Sequence, residues 1–293
     1  MSDRVYRAAT VVGRGVLRVL DVRVRVAGSG HLPTDGPVLL AANHASYADF
    51  VLLARAAVER DRHVRFLCRH DAWQAPGVGW LMDRMGHVPV DREAPAGAYL
   101  HARRLLRSGE AVGVFPEAGI SWSYAVRPLM RGVAALARDT GVPVLPVAMW
   151  GGQRIWTVGR TESGREPWPS LRRGRLVDVR FGAPLQVAAD DDLTAWTRSL
   201  GEVLTAMLED VQRLPEHRPR AGERAPWYPQ HLGGHAPDVA EARTLDDVPR
   251  RAVPPSWGPW VRPGPSRAGA PQPPRPEQPP PPYDARPGPG AAS

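Results

Sequence analysis

An α/β fold with a largely parallel central sheet is what this 293-residue chain predicts. Three observations carry that prediction. Short, continuous apolar runs bounded by turn residues have the composition of strands buried on both faces. Amphipathic stretches of helical length separate them, the alternation that builds parallel sheets through crossover helices. Apolar residues then become sparse after residue 214, so the fold is expected to end there.

Residues 4–20 read as an amphipathic helix. At about 100° per residue, Arg4, Arg7, Arg14 and Arg18 fall within a sector of roughly 80°, while Val5, Ala9, Val12, Val16, Val19 and Leu20 gather on another face. Such a helix suits an anionic lipid surface, and equally suits packing of its apolar face on the core. Gly13 and Gly15 lower its intrinsic helicity. DVRVRVA (21–27) alternates strictly, as a half-buried or edge strand does. GSGHLPTDGP is a loop by its Gly, Pro and Asp content. VLLAAN (38–43) is a buried strand, YADFVLLARAAVER (47–60) a helix and VRFLCR (64–69) a further strand. A strand ending near Val90 leads into a helix stopped by Gly109. AVGVFP (111–116) and PVLPVAMW (143–150) are buried strands with the helix RGVAALARDTG between them. LVDVRFG (176–182) closes the sheet region, and DDLTAWTRSLGEVLTAMLEDVQRL is the final amphipathic helix.

Composition bounds the rest. Of the 33 prolines, 21 fall in residues 215–293, which hold only six Leu, Val, Ile, Met or Phe. That stretch lacks the apolar surface to offset its ordering entropy and reads as disordered. The expected layout is a basic amphipathic helix at 1–20, one domain at 21–212, and a disordered Pro-rich tail at 213–293. One cysteine, Cys68, rules out an intramolecular disulfide framework and a Cys-rich zinc site. No apolar run approaches the roughly 18 residues of a membrane-spanning helix, and the first residues lack a secretory signal pattern. A cytosol-side protein is expected. The net charge of +8 rests on arginine alone, since the chain has no lysine, and +4 of it lies in residues 1–27. No basic-aromatic stripe accompanies it, so nucleic-acid binding is not expected.

Chemistry is expected in the polar segments just after buried strands, because open α/β sheets bind ligands beyond the carboxyl ends of their strands. NHASYAD (43–49) follows one strand and FPEAGIS (115–121) another, with GHVPVDR (86–92) between them. With His44 in the turn and a helix starting near Ser46, Asp49 falls in the first helical turn and reaches back to the imidazole. A carboxylate on one ring nitrogen fixes the tautomer and raises the basicity of the other, as a general base for a hydroxyl requires. The same spacing also fits a helix cap, Ser46 with Asp49 three residues on.

These segments, with VPVLPVA (142–148), form four blocks in an order that resembles the phospholipid and glycerol-phosphate acyltransferase family, most closely bacterial 1-acylglycerol-3-phosphate acyltransferases. The resemblance spans about residues 20–212 and implies a glycerol-3-phosphate acyltransferase-like αβ domain. It implies His44 as catalytic base, Asp49 as orienting carboxylate, Arg92 as a phosphate contact, Glu117 as a holder of the glycerol substrate, and Pro146 near the acyl path. It implies acyl-CoA or acyl carrier protein as donor, a lysophospholipid as acceptor, phosphatidic acid as product, and a peripheral protein at the cytoplasmic face of an anionic membrane. No metal and no resident cofactor are expected. The third block departs from the family's FPEGTRS: Ala118, Gly119 and Ile120 replace Gly, Thr and Arg. Arg127 or Arg131 is the candidate replacement for the lost arginine, with a solvated helix charge the alternative for Arg131. The departure leaves another lysophospholipid or a glycolipid open as acceptor, and a non-catalytic peripheral membrane scaffold is the rival from another class.

Cys68 reads as a buried inert thiol. WGGQRIW (150–156) is either a wall of the acyl-donor groove or a plain turn. Trp73 and Trp80 fit a membrane surface, an acyl tunnel or ordinary packing. PQPPRPEQPPPPY in the tail resembles a polyproline ligand for an aromatic-lined domain, or is a plain disordered extension.

Overall fold

A computed structural model describes residues 3–159 and 166–246; the polyproline stretch lies outside them. Seven strands form one sheet: β1 (Arg23–Ala27), β2 (Val38–Ala42), β3 (Val64–Arg69), β4 (Val88–Val90), β5 (Ala111–Val114), β6 (Val144–Trp150) and β7 (Leu176–Phe181). Their order is β1-β7-β6-β2-β5-β3-β4. Every neighbouring pair is parallel except β6 and β7, where Val147 faces Phe181 and Trp150 faces Asp178. The central runs are apolar throughout because both faces are covered: all five residues of β2 and all seven of β6 are buried. Leu39 and Ala41 point into one core with Val112, Val144 and Trp150; Leu40 and Ala42 point into the other with Phe66, Val147 and Met149. Each fully buried Leu or Phe contributes about 1.5–3 kcal/mol.

The helices are α1 (Asp3–Val19), α2 (Asp49–Ala57), α3 (Val78–Arg84), α4 (Ala96–Arg107), α5 (Gly132–Thr140), α6 (Leu193–Gln212) and α7 (Val239–Leu245). Among the described residues no helix is long and apolar enough to cross a membrane. α1 does not dock the whole of its expected apolar face. Tyr6 is buried, its hydroxyl donating to the Val64 carbonyl and accepting from the Val64 N–H, and Leu17 packs on the core below α2. Val12, Val16 and Val19 remain 66%, 53% and 70% exposed, beside the arginine face.

The boundary expected after residue 212 falls too early. Beyond Leu214 the chain stays on the domain: Ala225, Tyr228 and Ala236 are buried in the core that also holds Trp150 and Tyr124. The Tyr228 hydroxyl donates to the Gln212 carbonyl at 2.8 Å, and His217 Nε2 lies 2.6 Å from Asp178. Counting only aliphatic residues and Phe underestimates this segment, because Trp, Tyr and Ala supply its buried surface.

Candidate active site

β2 delivers the first block. Asn43 extends the β2–β6 ladder by one step through its side chain, donating to the Met149 carbonyl at 3.1 Å and accepting the Met149 N–H at 2.7 Å. The chain then turns before α2, and the turn places His44 over the ring of Phe115, with centroids 4.2 Å apart. His44 Nδ1 meets Asp49 Oδ2 at 2.9 Å. That one carboxylate oxygen also accepts the N–H groups of Ala45 at 2.7 Å and Ser46 at 2.8 Å. Asp49 therefore both orients the imidazole and ties down the turn that precedes α2, 2% exposed in the helix's first turn, where the backbone dipoles favour a carboxylate. Ser46 does not cap the helix as expected; its hydroxyl donates to the Trp156 carbonyl and accepts from the Ala48 N–H.

Glu117 joins the blocks from within. Oε1 accepts the His44 N–H and Oε2 the Arg127 N–H, both at 2.7 Å. Burial pushes its carboxyl up to about 8, against the lowering effect of Arg127 and of the His44 N–H. With both oxygens bonded inward at 2% exposure, Glu117 braces the turn that carries His44. Ala118 carries φ of 53°, a left-handed conformation that glycine adopts freely and alanine does not.

The remaining candidates divide. Arg127 is brought into the third block: it is buried, its Nη1 donates to the Ile120 carbonyl at 3.3 Å, and it forms an ion pair with Asp246 at 3.2 Å. Its guanidinium crowds Gly119 and would have to shift to admit a side chain there. Arg131 is not brought in; it is exposed at the start of α5, with Nη1 3.3 Å from Thr194. Arg92 lies half-buried in the turn between β4 and α4, at the carboxyl end of its strand. Pro146 is buried in the middle of β6 beside Gly182.

The backbone N–H groups of residues 44–49 are all engaged: His44 to Glu117, Ala45 and Ser46 to Asp49, Tyr47 to Trp156, and Ala48 and Asp49 to Ser46. WGGQRIW is more than a turn. A Cβ on Gly152 would lie 2.9 Å from Asp49 Oδ1, so only glycine lets this segment close on the turn that carries His44. Sequence reasoning missed that brace, though the Gly151–Gly152 pair just after a buried strand was its signal. Burial pushes the Cys68 thiol up to about 12, as an inert thiol requires. Trp80 is 59% exposed, and Trp73 donates to Asp83 at 2.7 Å. Among the described residues no cluster of three His, Cys, Asp or Glu side chains is arranged to hold a metal ion.

An imidazole held by a buried carboxylate at the carboxyl end of a central strand is an arrangement that can act as a general base. Residues 23–150, which contain all four blocks, match the family model described as Acyltransferase. The chain is 28% identical over 198 residues to a 1-acyl-sn-glycerol-3-phosphate acyltransferase of Bacillus subtilis, covering 65% of this chain and 91% of that protein. It is 29% identical over 232 residues to a lyso-ornithine lipid O-acyltransferase of Brucella abortus, covering 69% and 83%. It spans only 39% and 38% of two chloroplast 1-acyl-sn-glycerol-3-phosphate acyltransferases it matches, from Brassica napus and Arabidopsis thaliana. The crystal structure of the 1-acyl-sn-glycerophosphate acyltransferase of Thermotoga maritima shares the fold, with a TM-score of 0.57 at 24% identity over 73% of this chain and 85% of that one.

Proposed function

We propose that this chain moves a fatty acyl group from a thioester donor, acyl-CoA or acyl carrier protein, to the free hydroxyl of 1-acylglycerol-3-phosphate, giving phosphatidic acid. The His44–Asp49 contact, within the stretch that matches the Acyltransferase family model, carries the reading. Asp49 on Nδ1 fixes the tautomer that leaves Nε2 to take the acceptor's hydroxyl proton. The hydroxyl oxygen bonds to the thioester carbonyl carbon as its proton passes to His44. The tetrahedral adduct then breaks its C–S bond, and the leaving thiolate recovers the proton from His44. No acyl-enzyme forms; a thioester is already activated towards an oxygen nucleophile.

Arg92 is the phosphate contact in this reading, since a planar cationic fork suits phosphate oxygens. The enzyme works as a peripheral protein on the cytoplasmic face, with the arginine and valine faces of α1 at an anionic bilayer; the exposure of Val12, Val16 and Val19 supports this. A second acceptor is favoured by one feature, Ile120 in place of the third block's arginine, together with the lyso-ornithine lipid relative. The test is a panel of lyso-acceptors with one acyl-CoA donor, read by release of free thiol. Fastest turnover with 1-acylglycerol-3-phosphate supports the first reading; fastest turnover with a phosphate-free lysolipid replaces it with the second.

A further inference from the structure

A basic cleft of about 460 Å³ lies outside the catalytic turn, lined by Arg154, Arg172, Arg173, Arg175, Arg220 and Glu223. Three distant segments build it. Arg154 follows β6, residues 172–175 precede β7, and Arg220 and Glu223 come from the segment after α6. Because β7 runs antiparallel to β6, its start lies at the end of the sheet where β2 delivers His44. The connection to the site is short in sequence: two residues after Arg154, the Trp156 carbonyl accepts bonds from the Ser46 hydroxyl and the Tyr47 N–H.

Five arginines share the cleft with a single carboxylate among the described residues. None of the five forms an ion pair among the described residues, and the one carboxylate in the cleft, Glu223, accepts the Arg220 backbone N–H at 2.9 Å. Arg154 is fixed by its guanidinium lying 4.1 Å from the centre of the Trp227 ring. The Nε of Arg175 is buried with no hydrogen-bond partner. Burial, then the neighbouring Arg175, Arg172 and Arg220, hold Arg154 below the ordinary arginine range, with Glu223 opposing them. Keeping like charges this close and partly desolvated is unfavourable unless an anion relieves it. Two or more oxyanions carried by one ligand match the charge and the forked donors best.

We propose that this cleft binds clustered phosphates, and that the coenzyme part of the acyl donor supplies them: a nucleotide with a diphosphate and a further phosphate monoester. Only the ligand's identity rests on the acyl-thioester reading above. An anionic bilayer offers the same chemistry, but the fixed Arg154 and the buried Arg175 Nε favour a discrete ligand entering a cleft over a flat array of headgroups. The assignment selects coenzyme A over carrier protein as the donor's handle, because its phosphates sit beyond the pantetheine arm, away from the reacting carbonyl.

Titration calorimetry of the full chain with free coenzyme A tests it, beside sedimentation with vesicles of phosphatidylglycerol and phosphatidylcholine. Arg172→Gln and Arg220→Gln alter exposed side chains and should leave the melting temperature unchanged. Each should weaken coenzyme A binding by about tenfold, as expected for a lost charge-assisted hydrogen bond. Both should raise KM for acyl-CoA and leave kcat, and KM for an S-acyl pantetheine lacking the phosphates, unaltered. Wild-type affinity for coenzyme A in both variants, or no binding by the wild type, overturns the proposal. Loss of vesicle binding with intact coenzyme A affinity overturns it in favour of a lipid headgroup site. Arginine-dependent binding by a protein that transfers no acyl group would retain the site and remove the proposed function instead.

Discussion

Replacing Asp49 by Asn separates its two roles. His44 Nδ1 and the Ala45 and Ser46 N–H groups all converge on one oxygen, Oδ2. An asparagine carbonyl can occupy that place and accept all three bonds, so the turn and the imidazole tautomer survive. What disappears is the negative charge facing the imidazolium that forms as the hydroxyl gives up its proton. A hydrogen bond to a charged group is worth about 1.5–3 kcal/mol, so kcat should fall by about 10- to 100-fold with little change in stability. Asp49→Ala is the contrasting variant. It leaves two buried backbone donors unpaired at about 1–3 kcal/mol each, roughly 2–6 kcal/mol in all, so the fold itself should weaken. Thiol release at saturating substrates, alongside urea unfolding, reads both quantities. Asp49→Asn turning over within about twofold of wild type while folded would refute the reasoning, because the charge would then contribute almost nothing to the barrier. An Asp49→Ala variant as stable as wild type would refute the turn-holding half.

Three further outcomes follow from the same geometry. Ala118→Gly relieves a left-handed alanine and should stabilise the protein by up to about 1 kcal/mol, the strain outweighing glycine's greater unfolded-state entropy; a lower urea midpoint would contradict it. A chain ending at Leu214 uncovers Trp150 by removing Tyr228, whose ring lies 6.1 Å away, and should lose roughly 3 kcal/mol relative to a chain ending at residue 246. Equal urea midpoints would return the boundary to residue 212. Glu117 is raised from 4.5 to about 8, so the native state holds a proton that the unfolded chain has lost. Stability should therefore fall as pH rises from about 4.5 to about 8, by at most about 1.4 kcal/mol per pH unit. Unfolding at pH 5.5 and 7.5 should show that slope in wild type and lose it in Glu117→Gln, and equal slopes would contradict the assignment.

The central strands were legible because burial on both faces leaves a continuous apolar run, as in VLLAA and VLPVAMW. Strand direction was not legible. Nothing in the pattern of LVDVRF marks β7 as antiparallel to β6, since direction is set by the path of the connection between them. α3 was missed because Gly77 and Gly79 interrupt its pattern and only Met82 of its residues is buried. His44 and Asp49 could be paired from five-residue spacing, since the bond between them is local. Glu117 could be named but not oriented, because its partners lie 73 and 10 residues away and only the folded backbone aims it inward. The arginine cleft was invisible for the same reason: three segments contribute to it, and each alone looks like a charged loop.

The most direct test of the account is acyl transfer by purified His44→Ala. The imidazole is partly exposed and its loss unpairs no buried backbone donor, so unfolding should match wild type. Thiol release with acyl-CoA and 1-acylglycerol-3-phosphate should fall by about 10²- to 10⁴-fold, the usual contribution of a positioned base. Unchanged turnover in that variant, with the fold intact, would contradict the account.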